Sequence, residues 1–89
     1  MLFMIFVQCQ PGKATEVGTS LAKKGLPDIE EIYSISGEWD LMVRARFTKG
    51  HNFETDVLET IFEDQWEKIR RTQTVIAYRV YNPDDASWE

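Results

Sequence analysis

The chain has 89 residues, 43% of them hydrophobic, and 15 acidic side chains against 10 Lys and Arg give it a formal charge of -5. This length supports one domain, and a single cysteine excludes an intrachain disulfide framework. The acidic balance disfavours a nucleic-acid groove, because the chain offers mainly Arg70-Arg71 as an adjacent arginine pair, to which Arg44 and Arg46 add only a local patch.

Leu2–Cys9 is an apolar run ended by Pro11-Gly12, which predicts a strand followed by a turn. The run lacks a basic leader and Gln8, Gln10 and Gly12 interrupt it well short of a membrane-spanning length, so a soluble cytoplasmic protein without membrane contact is expected. From Lys13 to Lys24, Ala14, Val17, Leu21 and Ala22 recur at helical spacing. Lys23-Lys24 suit the helix C-terminus, and Gly25 with Pro27 stops it. Ile29–Ser36 and Leu41–Phe47 alternate as strands, with Glu31, Tyr33 and Ile35 opposite Glu30, Ile32, Ser34 and Ser36 in the first. Their link, Gly37-Glu38-Trp39-Asp40, is short enough only for an antiparallel hairpin. Phe53, Val57 and Ile61, with Leu58, Phe62 and Trp66, form one wide apolar stripe and predict a second helix, for which Asn52 is a better cap than His51. Thr72–Tyr81 is rich in Thr, Val, Ile and Tyr and reads as the last strand, closed by Asn82-Pro83.

The order strand, helix, strand, strand, helix, strand predicts an α+β, ferredoxin-like βαββαβ sandwich: a four-stranded antiparallel sheet with two helices on one face. Residues 1–81 form the domain, and 82–89 an acidic tail carrying Trp88. Both sides of the first strand are apolar, Phe3, Ile5, Val7 and Cys9 on one and Leu2, Met4 and Phe6 on the other. Two helices cover one sheet face, so the other needs a partner, and burying about 600 Å² of apolar area there contributes about 15 kcal/mol before association costs. A homodimer built sheet to sheet, a dimeric α/β barrel, is the expected remedy.

No constellation of catalytic spacing is present. The carboxylates are scattered, Cys9 reads as a buried thiol, His51 as a loop or capping residue, and Met1, Met4 and Met42 as apolar filler. Neither a metal motif nor a phosphate loop is found, since Pro11-Gly12-Lys13 lacks the required spacing, and no cofactor is expected. The hairpin loop is more informative: Gly37 admits unusual backbone angles, Asp40 offers an anionic acceptor, and Tyr33 and Trp39 flank them. Thr72 and Thr74 place two hydroxyls on one face of the last strand. Taken alone, these residues suit turn, core and β-propensity roles better than they suit a pocket for a small polar ligand.

Taken in order, Val7–Lys13 (VQCQPGK), Ile32–Val43 (IYSISGEWDLMV) and Arg71–Tyr81 (RTQTVIAYRVY) resemble the effector-binding (RAM) domain of Lrp/AsnC regulators, over roughly Leu2–Tyr81. The most specific parts are Gly37-Glu38-Trp39-Asp40 and Arg71-Thr72-Gln73-Thr74. The resemblance implies an effector-binding regulatory domain, not an enzyme, that pairs through its sheet and assembles into octameric rings of dimers. It further implies a small effector, typically an amino acid, held between dimers. Gly37 and Asp40 would lie in the effector loop and Thr72 and Thr74 at its wall, with Asp40 facing an ammonium group and backbone N–H groups near Gly37 a carboxylate. Tyr33, Trp39 and Arg71 would add pocket shape or contacts across an interface.

There are two departures. The regulators carry a helix-turn-helix domain ahead of this one, whereas here the first strand begins at Leu2, so DNA contact is expected only through full-length Lrp/AsnC partners. Lys68 stands where the family has a glycine before its final strand. Two alternatives keep the same element order: a small cofactor-free monooxygenase, for which His51 and Trp66 are meagre candidates, and an oligomerisation module without ligand.

Overall fold

The computed structural model describes residues 2–46, 58–79, 81 and 83. Strand β1 (Leu2–Cys9) is followed by α1 (Ala14–Lys24), the hairpin strands β2 (Ile29–Ser34) and β3 (Leu41–Arg46), α2 (Leu58–Phe62), a 3-10 turn (Trp66–Lys68) and β4 (Ile69–Ala77). All pairings are antiparallel, in the order β2-β3-β1-β4. This is the ferredoxin-like βαββαβ architecture, with both helices on one sheet face.

Strand alternation decides the core. Phe3, Ile5, Val7 and Cys9 of β1 and Leu41, Val43 and Ala45 of β3 turn toward the helices, where they pack with Val17 and Leu21 of α1 and Ile61 and Phe62 of α2. Helix α1 ends as its sequence predicts: Gly25 adopts φ 60°, and its N–H donates to the Ala22 carbonyl at 3.3 Å. The opposite sheet face carries Leu2, Met4, Phe6 and Met42, all half-buried, and the more exposed Val75. No helix among the described residues is long and apolar enough to cross a membrane.

Several expected boundaries move. The stripe from Leu58 to Trp66 is not one helix: α2 stops at Phe62, and the Gln65 and Lys68 N–H groups donate to Phe62 and Gln65 carbonyls three residues back. Trp66 therefore leaves the α-helical stripe and stays 41% exposed, its ring edge-on to Phe62 at 5.5 Å. The expected helix start at Asn52, with His51, Phe53 and Val57, lies outside the described residues, as does Phe47. Strand β2 ends at Ser34, short of Ser36. Strand β4 begins at Ile69, three residues before Thr72, because the Gln10 N–H donates to the Lys68 carbonyl at 2.8 Å and starts the pairing earlier. It ends at Ala77 and not at Tyr81.

The alternation expected in β2 also fails at one residue. Ile29 pairs with Ala45 and Glu31 with Arg44, so Glu30 is an extra residue between them. This bulge lets successive carboxylates serve one side: Glu30 bonds Arg46 at 3.0 Å and meets Arg44 at 3.1 Å, while Glu31 bonds Arg44 at 2.7 Å. Glu30 is held below the usual glutamate range, first by the Arg46 hydrogen bond. Tyr33 is pushed up by donating to Glu31 at 2.5 Å.

Candidate functional site

The site is built where the β2–β3 hairpin meets the end of β1. Ile35 donates its N–H to the Asp40 carbonyl at 3.0 Å, and Asp40 donates its own to Val7 at 2.9 Å. Gly37 turns the chain at φ 105°, a conformation that side-chain-bearing residues rarely adopt. Asp40 is half-buried, and its Oδ2 accepts the Cys9 N–H at 2.8 Å. That N–H lies on the β3 side of β1, just past Val7 and Leu41, the last pair of the β1–β3 ladder. The carboxylate thus partners an N–H that the β1–β3 ladder no longer reaches. Burial pushes the neighbouring Cys9 thiol up, and the Asp40 charge adds to it.

The same loop is tied down on the open face of the sheet. Arg71 lies over the Trp39 ring at 4.5 Å, donates to the Gln8 side chain at 3.0 Å and pairs with Glu38. Gln8 donates to the Glu38 carbonyl at 3.0 Å, and Trp39 packs against Phe6 with ring centroids 6.1 Å apart. Trp39 and Arg71 are therefore loop fasteners, reached from the face that the helices leave uncovered. Tyr33 lies on that face too, paired with Met42.

Asp40 also lines a depression of about 340 Å³ between the β1–α1 turn and the start of β4. Gln10, Gly12 and Thr15 contribute to its wall, and Arg70 is its one basic lining residue. This volume falls at the small end of ligand pockets. Thr72 and Thr74 do not line it. They pair with Val7 and Ile5 and so turn under the helices, on the far side of β1 from Asp40, two strand spacings or about 10 Å away. A larger depression, about 520 Å³, lies between α1 and β2 over Gly18, Ala22, Ile32 and Leu41. Lys23 is its single charged lining group, and none of Tyr33, Gly37, Trp39, Asp40, Arg71, Thr72 and Thr74 lines it. Among the described residues, no three His, Cys, Asp or Glu side chains gather closely enough to hold a metal ion.

Arg70, Gln10 and Thr15 were not legible as site residues. Arg70 stands in sequence as half of an arginine pair, and only the register shift separates it from Arg71: Gln8 pairs with Arg71 and Cys9 with Ile69, leaving Arg70 without a cross-strand partner.

A helix-covered sheet with a charged depression at one end of its strands suits a small ligand-binding domain. Comparison with known proteins makes the assignment specific: residues 2–87 match the family "Lrp/AsnC ligand binding domain", and the chain belongs to it. This is a family of ligand-binding regulatory domains and not of enzymes. The chain is 30% identical over 81 residues, 91% of its own length, to the HTH-type transcriptional regulator FL11 of Pyrococcus furiosus, and spans half the length of that regulator. Among solved structures, TTHA0845 from Thermus thermophilus is similar with a TM-score of 0.74 and 23% identity, covering 91% of this chain and 96% of that one. The transcriptional regulator NMB0573 of Neisseria meningitidis, solved as a complex with L-Met, is similar with a TM-score of 0.61 and 20% identity, covering 86% of this chain and 50% of that one. The last two likenesses are of fold.

Proposed function

We propose that this ligand-binding regulatory domain receives an amino acid in the depression beside Asp40 and works as a dimer joined through its open sheet face. The carrying observation is the Asp40 carboxylate: one oxygen is engaged by the Cys9 N–H, and the residue opens onto a cavity of ligand size. A carboxylate has about four acceptor positions, so capacity remains for an ammonium group. The family assignment and the L-Met complex of the Neisseria regulator support an amino-acid effector. Gly37 shapes the loop, while Tyr33, Trp39 and Arg71 hold it from the open face. Thr72 and Thr74, which do not line the depression, lie outside the ligand's contacts in this reading.

The open face suits a second copy. Its apolar centre is framed by Arg44, Arg46 and Arg71, each already paired with Glu30, Glu31 or Glu38 of the same chain. A chain of net charge -5 therefore presents a locally neutral face, and identical copies approach without like-charge repulsion. Larger rings of dimers, and action on transcription through full-length regulators, follow from the same reading.

Calorimetric titration with the twenty amino acids tests the ligand. At least one binds, and Asp40→Asn weakens it about 10- to 150-fold through loss of a charge-assisted contact of about 1.5–3 kcal/mol. Light scattering at low micromolar concentration tests the assembly: a dimer is expected, and Phe6→Glu converts it to monomer. The Cys9–Asp40 bond also favours a second reading, an oligomerisation module in which Asp40 is only a loop clamp. Intact dimers that bind none of the amino acids establish that reading.

A further inference from the structure

We propose that Arg70 reads the ligand's carboxylate, so that the depression selects an amino acid with a free α-carboxylate over the corresponding amide or amine. The inference rests on the amino-acid reading above and adds a residue to it. Arg70 and Asp40 line the same depression but form no ion pair with one another. Arg71, the neighbouring arginine at this end of the sheet, is committed to Glu38, Gln8 and Trp39, and Arg44 and Arg46, toward the other end of β3, to Glu30 and Glu31. Among the described residues no carboxylate lies within ion-pair distance of Arg70.

The placement has a local cause. At the register shift between Gln8 and Cys9, Arg71 stays paired across the sheet and is drawn to the open face, while Arg70 becomes the extra residue of β4. Released from the ladder, it lines the depression with Gln10 and Gly12. An acid and a base that share a cavity without neutralising each other suit a ligand carrying both charges. An ammonium group then takes the remaining capacity of Asp40, and a carboxylate takes the planar fork of Arg70, which matches it in a bidentate pair. The carboxylate thus meets a side chain rather than backbone N–H groups near Gly37, which does not line this depression.

The test is calorimetry on the full chain with the tightest-binding of the twenty amino acids, its α-carboxamide and the amine lacking the carboxyl group. Arg70 is exposed and forms no ion pair with a described residue, so Arg70→Gln is expected to fold and assemble normally, as circular dichroism and light scattering verify. Arg70→Gln should weaken the free acid about 10- to 150-fold, while the carboxamide and the amine bind wild type and variant alike. Arg70→Lys, which keeps the charge but not the fork, should fall between. Equal affinity of Arg70→Gln and wild type for the free acid overturns the role of Arg70 while leaving the amino-acid reading in place. A parallel loss for the carboxamide overturns it likewise. Failure of all twenty amino acids to bind wild type overturns both.

Discussion

The bond between the Cys9 N–H and Asp40 Oδ2 separates anchoring of the hairpin from recognition of a ligand. Replacing Asp40 by Ala leaves that N–H without an acceptor at a nearly buried position, since Cys9 is 6% exposed. A hydrogen bond to a charged group contributes about 1.5–3 kcal/mol, and a domain of this size shifts its midpoint by about 4–8 °C per kcal/mol, so Asp40→Ala should melt about 6–24 °C lower. Asp40→Asn keeps a neutral oxygen in the same place and should lose roughly half as much. The backbone bonds from Asp40 to Val7 and from Ile35 to Asp40 persist in both variants, so the hairpin stays attached and the urea slope should not change. Urea and thermal unfolding must be run at one protomer concentration, because association adds to apparent stability. If Asp40→Ala unfolds within about 0.5 kcal/mol of wild type, the carboxylate does not anchor the hairpin to the end of β1.

Other consequences are open to measurement. Gly37→Ala meets no neighbouring atom within 4 Å, so its cost is the backbone strain of φ 105°, about 1–3 kcal/mol in urea unfolding; a neutral result would show that the loop relaxes. Because Cys9 is buried and its thiol is pushed up, a thiol reagent at mildly alkaline pH should label native protein slowly and urea-unfolded protein fast, and equal rates would contradict that burial. Glu30 is depressed in the fold, so its contribution is present above the unfolded glutamate value of about 4.3 and is lost as pH falls through the lower folded value. Glu30→Gln should flatten this acid-limb dependence of the urea midpoint. The effect is small, because exposed pairs are screened.

The sequence by itself determined the element order, the family and the two-sided character of the sheet. Alternation in β1 and β3 and helical spacing in α1 are local patterns, and a strand or helix imposes them residue by residue. Gly25 and Gly37 were legible for the same reason, as the backbone angles they adopt are open mainly to glycine. Only the tertiary structure decided where the charged groups go. One bulge sends Glu30 to Arg44 and Arg46, another frees Arg70 from the ladder while Arg71 stays in it, and the pairing of β4 with β1 turns Thr72 and Thr74 beneath the helices. A register shift is settled by the partner strand and not by the shifted residues, so consecutive arginines that look equivalent in the chain acquire different surroundings in the fold.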